Sequence, residues 1–124
     1  MSVVLIVEDN PKNMKLVRDV LQFKGYQTLE ATSGRDGVRM AIEHLPDLVL
    51  MDIQLPDIDG MAALAEIRAH APARNIPIFA VTASVMPQDQ KRIEASGFNA
   101  FITKPFNVKS FLETVSRFVT AGKE

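Results

Sequence analysis

The 124-residue chain has no cysteine and no tryptophan, and its aromatic residues are one tyrosine and seven phenylalanines. Without thiols there is no disulfide framework, no thiolate zinc site and no cysteine nucleophile, while a reducing cytosol is permitted. Charge of one sign is also lacking: 14 basic side chains stand against 15 acidic ones, a formal net charge of -1. No basic stripe is available to track a phosphodiester backbone, so direct nucleic-acid binding is not expected. No apolar run approaches the roughly 20 residues that cross a bilayer. The opening stretch Met-Ser-Val-Val-Leu-Ile-Val-Glu has neither the basic n-region nor the apolar length of a signal peptide. These absences predict a cytoplasmic protein with no membrane partner.

The length suits one domain able to bury its own core, expected over 1–121 with a polar tail at 122–124. Val3 to Val7 is a continuous, mostly β-branched run, as in a strand covered on both faces. Asn10 and Pro11 then form a cap followed by a residue pre-set for a first helical turn. Met14, Val17 and Leu21 recur at helical spacing up to Gly25-Tyr26, a left-handed stop with an apolar residue folding back. This predicts a helix from about Pro11 to Lys24. Tyr26 to Ala31 reads as an exposed second strand, and Ser33 with Asp36 opens a second helix with a buried stripe at Val38, Ala41, Ile42 and Leu45.

Leu48 to Met51 is the third strand, followed by turn chemistry at Pro56 to Gly60. Asp59 caps a third helix carrying Met61, Leu64 and Ile67, which Pro72 closes. Ile76 to Val81 supplies a fourth strand, Pro87 to Ser96 a fourth helix ending at Gly97-Phe98, and Ala100 to Thr103 a fifth strand. A fifth helix capped by Asn107 carries Val108, Phe111, Leu112, Val115, Phe118 and Val119. Five strands alternating with helices imply a parallel sheet with helices on both faces, a doubly wound (βα)5 sandwich of the α/β class.

Ligands of open α/β sheets bind at the carboxyl edge, and four of these runs end there on different chemistry. The first ends on Glu8 and Asp9, the third on Asp52, the fourth on Thr82 and the fifth on Thr103 and Lys104. Three carboxylates, a hydroxyl and an ammonium at one edge describe a metal-and-phosphate site. Mg²⁺ takes oxygen ligands and only one or two protein carboxylates directly. Asp9 and Asp52 are the expected direct ligands, with Glu8 holding a bound water. A carboxylate beside a metal can attack phosphorus, and phosphoryl transfer needs mainly positioning and charge stabilisation. Asp52 is the expected nucleophile, with Lys104, the Thr82 hydroxyl and the Ala83 backbone N–H facing the transferred oxygens. Each residue alone has a plainer reading, as helix cap, loop hydroxyl or solvated lysine. Their joint order on four strands favours a site.

Ile-Val-Glu-Asp-Asn at 6 to 10, Leu-Met-Asp-Ile-Gln-Leu-Pro at 50 to 56 with Asp59-Gly60, Val-Thr-Ala at 81 to 83 and Lys104-Pro105-Phe106 resemble the receiver domain of two-component response regulators. The likeness covers almost the whole chain. It implies the flavodoxin-like, CheY-like strand order 2-1-3-4-5, Glu8 and Asp9 as the acidic pair, Asp52 as phosphoacceptor and the Gln54 backbone carbonyl on the Mg²⁺ (or Mn²⁺). It also implies Thr82 and Phe101 as a switch pair and a cis peptide bond at Lys104-Pro105. Phe101 stands where many receivers carry tyrosine, which leaves ring packing without a phenol hydroxyl. Within the family, residues 8 to 16 and 51 to 56 are most like single-domain regulators of cell division, and receivers of hybrid histidine kinases share much of that wording.

The expected outcome is a signalling domain rather than an enzyme. A partner histidine kinase or phosphotransferase supplies the phosphoryl group, since His44 and His70 fall near helix ends and not at strand ends. The chain stops some twenty residues after Lys104 with no output domain expected, so effector proteins would bind the face of the fourth helix, fifth strand and fifth helix. A phosphate sink or relay is the alternative use of the same chemistry. An aspartate-nucleophile phosphatase would want a general acid where Gln54 stands. An FMN carrier would want a phosphate-binding loop where Glu8 and Asp9 repel phosphate.

Overall fold

A computed structural model describes residues 2–82, 91, 93, 95–104 and 107–119. The strands are β1 (Val3–Val7), β2 (Gln27–Ala31), β3 (Leu48–Asp52), β4 (Ile78–Thr82) and β5 (Ala100–Thr103). Four helices have defined bounds: α1 (Pro11–Phe23), α2 (Gly34–His44), α3 (Gly60–Ala69) and α4 (Val108–Ser116). All strands are parallel in the order β2-β1-β3-β4-β5, as in the doubly wound sandwich. The predicted fourth helix lies largely outside the described residues, of which Lys91, Ile93 and Ala95 are helical.

Side chains alternate across a parallel sheet, and the core divides accordingly. Val4, Ile6, Leu48, Leu50, Phe79, Val81 and Ile102 face α1 and α4, packing on Met14, Val17, Leu21, Phe111 and Val115. Leu5, Val7, Val49, Met51 and Ile78 face α2 and α3, packing on Val38, Ala41, Ala63, Leu64 and Ile67. Central strands buried on both faces explain why β1 and β3 read as unbroken apolar runs. Among the described residues, no helix is long and apolar enough to cross a membrane.

Helix ends follow the local chemistry. The Asn10 side chain accepts the amides of Lys12 and Asn13, with Pro11 opening the first turn of α1. At the other end Tyr26 N–H reaches Leu21 O, Gly25 N–H reaches Gln22 O, and Gly25 takes φ 94°, the Schellman arrangement. Three expectations shift. Leu45, expected in the buried stripe of α2, is exposed and takes the left-handed C-cap itself at φ 46°, because Pro46 cannot continue a helix and no glycine is there to turn the chain. In α3 the buried stripe is Gly60, Ala63, Leu64 and Ile67, so Met61 sits at its margin. β4 begins at Ile78 rather than Ile76, just past Pro77, which has no N–H for a ladder.

Candidate functional site

The register brings the four strand ends together. Val7 is level with Met51, Asp52 with Val81 and Thr82 with Thr103, so the residues that follow or end each strand share the carboxyl edge. Glu8, Asp9 and Asp52 each offer a carboxylate oxygen, all within 4.8 Å of one another. Glu8, Asp52 and Thr82 are buried at 3%, 4% and 4% exposure, while Asp9 is exposed. The gathering reaches solvent on the Asp9 side.

Lys104 holds the group together. Its Nζ lies 2.9 Å from Glu8 Oε1 and 2.9 Å from Asp52 Oδ2, and its own amide donates to Thr82 O at 2.8 Å. The second oxygens are also engaged: Asn10 N–H donates to Glu8 Oε2 at 3.1 Å and Gln54 N–H to Asp52 Oδ1 at 2.9 Å. Burial pushes the Glu8 carboxyl up and the neighbouring Asp52 adds to this, against the lowering bonds from Lys104 and Asn10, so it stays above its ordinary value. For Lys104 burial acts against the ammonium, but the hydrogen bonds to Glu8 and Asp52 outweigh it and hold the pKa above the ordinary lysine value. Three carboxylates against one ammonium leave excess negative charge at an all-oxygen cluster. That donor set suits Mg²⁺.

Phe101 is half-buried and level with Ala80 on β4, two residues before Thr82, so Phe101 and Thr82 project from the same face of the sheet. Cavities open on both sides of it. One of about 180 Å³ includes Thr103 and Phe111, and one of about 270 Å³ includes Ile93 and Phe98. Ala83, Pro105 and Phe106, and with them the amide at the site and the peptide bond after Lys104, lie outside the described residues. His44 ends α2 and His70 follows α3, away from the acidic cluster.

One contact near the site has no counterpart in the sequence reading. Asp57, read there only as turn chemistry, accepts the amides of Gly34 and Arg35 at the start of α2. Its partners are more than twenty residues earlier in the chain, and periodicity gives no signal for such a bond.

A parallel 2-1-3-4-5 sheet with an acidic cluster and a bridging lysine at its carboxyl edge defines a phosphoryl-receiving signalling domain of the two-component type. The chain belongs to the response regulator receiver domain family, whose pattern matches residues 4–116. It is 44% identical over 116 residues, 94% of each chain, to the polar-differentiation response regulator DivK of Brucella ovis. Among solved structures it resembles the receiver domain of a sensor histidine kinase from Pseudomonas aeruginosa, which has a magnesium ion coordinated in its active site cleft. That likeness is 34% identity at a TM-score of 0.88, covering 94% of this chain and 96% of the other. The Vibrio cholerae chemotaxis protein CheY4 matches at 27% identity and a TM-score of 0.89, covering 96% and 99%. The acidic cluster of this chain fits the same divalent ion.

Proposed function

We propose that this chain accepts a phosphoryl group on Asp52 from the phosphohistidine of a partner kinase or phosphotransferase, and passes the signal on through protein contacts in the cytoplasm. The observation that carries the reading is the Lys104 ammonium, 2.9 Å from both Glu8 and Asp52 in a cluster that also contains Asp9. Asp9, Asp52 and the Gln54 carbonyl would hold Mg²⁺, with Glu8 acting through a water, and Mn²⁺ offers the same oxygen chemistry. When bound, the cation offsets charge on the carboxylates and on the incoming phosphoryl oxygens.

In the transfer, an Asp52 carboxylate oxygen forms the new P–O bond as the P–N bond to the donor imidazole breaks. The bonding pair stays on that nitrogen, which takes up a proton from solvent. Lys104 offsets charge in the cluster and would face the transferred oxygens with the Thr82 hydroxyl, the Ala83 amide being the further donor that the sequence offers. The domain turns over no external substrate beyond this transfer and the slow hydrolysis of its own acyl phosphate.

Phosphorylation adds charge and acceptor oxygens beside Thr82. A move of Thr82 toward them empties space on the face it shares with Phe101, and the cavities flanking that ring give it room to follow. The population of two packings of β5 and its neighbouring helices then shifts, reshaping the effector face. Relatedness to the polar-differentiation regulator DivK supports a role in polarity control. The receiver domain occupies 1–121 in this reading, with 122–124 as a tail.

Incubation with acetyl phosphate and Mg²⁺, read by intact mass, tests the proposal. The expected result is a single phosphoryl adduct, stable in acid and lost in base, absent without Mg²⁺ and absent in Asp52→Asn. An equal adduct on Asp52→Asn would overturn it.

A further inference from the structure

The segment between β3 and α3 crosses the site, and three sets of bonds fix it. At its neck, Gly60 N–H donates to Ile53 O at 3.0 Å and Ile53 N–H to Val81 O at 3.0 Å. A Cβ on Gly60 would stand 2.7 Å from Asp52 O, so the neck closes only around glycine. Next to the neck, Gln54 N–H is bound to Asp52 Oδ1. At the tip, the Asp57 carboxylate spans two amides of α2, Gly34 N–H at 2.8 Å and Arg35 N–H at 2.9 Å.

Those amides are ones that a helix cannot satisfy from within. Ser33 already takes the next two, through its Oγ to Asp36 N–H and its carbonyl to Gly37 N–H. Asp57 therefore completes the α2 terminus from outside the helix, with a negative charge at the positive end of the dipole. The fit is also steric. A Cβ on Gly34 would come 2.5 Å from Ile58 Cγ1 and 3.2 Å from Asp57 Oδ1, so the absence of a side chain at 34 lets the tip dock. Leu55 and Ile58 pack on the α2 and α3 layer of the core, which seats the loop; the two Asp57 bonds set its orientation.

We infer that Asp57 is a positioning residue for the metal site: by latching the loop tip to α2, it fixes the peptide of Gln54, whose N–H binds Asp52 and whose carbonyl would hold the divalent ion. This rests on the functional reading above. Groups that orient metal ligands from behind typically change affinity by about 10–100-fold when removed, and the latch belongs to that class.

The test is a Mg²⁺ titration of the whole chain, followed by the amide shifts of Asp52 and Gln54, alongside metal-free thermal unfolding. Asp57→Ala is expected to weaken Mg²⁺ binding about tenfold, and Asp57→Asn, which keeps one acceptor, to weaken it less. Gly34→Ala leaves every carboxylate in place and is expected to weaken binding too, which separates positioning from the loss of a nearby charge. Asp59→Ala removes a charge and a helix cap from the same loop, and is expected to lower the unfolding temperature with the Mg²⁺ dissociation constant unchanged. In acetyl phosphate reactions the Asp57→Ala defect should appear in the Mg²⁺ concentration required and disappear at saturating Mg²⁺. Folded Asp57→Ala and Gly34→Ala proteins that bind Mg²⁺ as tightly as the unsubstituted chain would overturn the latch alone. An unsubstituted chain that binds no Mg²⁺ at Asp52 would overturn the functional reading as well.

Discussion

Lys104 is the residue on which the site balances. Its ammonium lies 2.9 Å from each of the two buried carboxylates, and replacing it leaves Glu8 and Asp52 facing each other without that counter-charge. Removing one member of a buried ion cluster costs about 3–5 kcal/mol. Lys104→Met is therefore expected to lower the urea midpoint markedly in EDTA, with part of the loss restored by Mg²⁺; an unchanged midpoint would contradict the geometry. At this scale the site was largely legible, because Glu8, Asp9, Asp52, Thr82 and Lys104 all stand where an apolar run stops. What residue types could not show was the pairing itself, that one ammonium would bridge Glu8 and Asp52 while Asp9 stays exposed. Asp57 is illegible for the opposite reason: nothing adjacent in the sequence marks its partners.

Helix α2 begins on four amides bound by two residues, Ser33 and Asp57, and only the first is local. Hydrogen bonds from the backbone amides, that of Arg35 foremost, hold the Asp57 carboxyl below the ordinary aspartate value of 3.8. A carboxyl whose pKa falls on folding stabilises the fold above its unfolded pKa and loses that contribution as pH drops through the folded value. Acid titration monitored by circular dichroism should thus show a loss of stability beginning below about pH 4 that is smaller in Asp57→Asn, and a parallel pH dependence in the two proteins would contradict the latch geometry. Caps and glycine stops were readable as elements, as Asn10, Asn107, Gly25 and Gly97 illustrate. Leu45 was not, because an apolar residue at helical spacing gives no hint that it must turn left-handed ahead of Pro46.

At the scale of the molecule, alternating strands and helices established the class of fold, and the two-faced burial of β1 and β3 followed from their uninterrupted apolar runs. Strand order did not come from periodicity. It came from the likeness of the motifs to receiver domains, and the β2-β1-β3-β4-β5 sheet agrees with it. That order is what makes the chemistry possible, since only with β1, β3 and β4 adjacent and β5 beside β4 do Glu8, Asp52, Thr82 and Lys104 reach one edge. Proteins of this class work by changing the charge at that edge and letting the packing around it respond.

The site's function therefore turns on where the phosphoryl group goes. Borohydride reduces an aspartyl phosphate to homoserine, so reduction after reaction with acetyl phosphate and Mg²⁺, then peptide mass spectrometry, marks the acceptor directly. The expected product carries homoserine at position 52 and aspartate at 9, 57 and 59. Homoserine at any of those other positions, with Asp52 unmodified, would contradict the account.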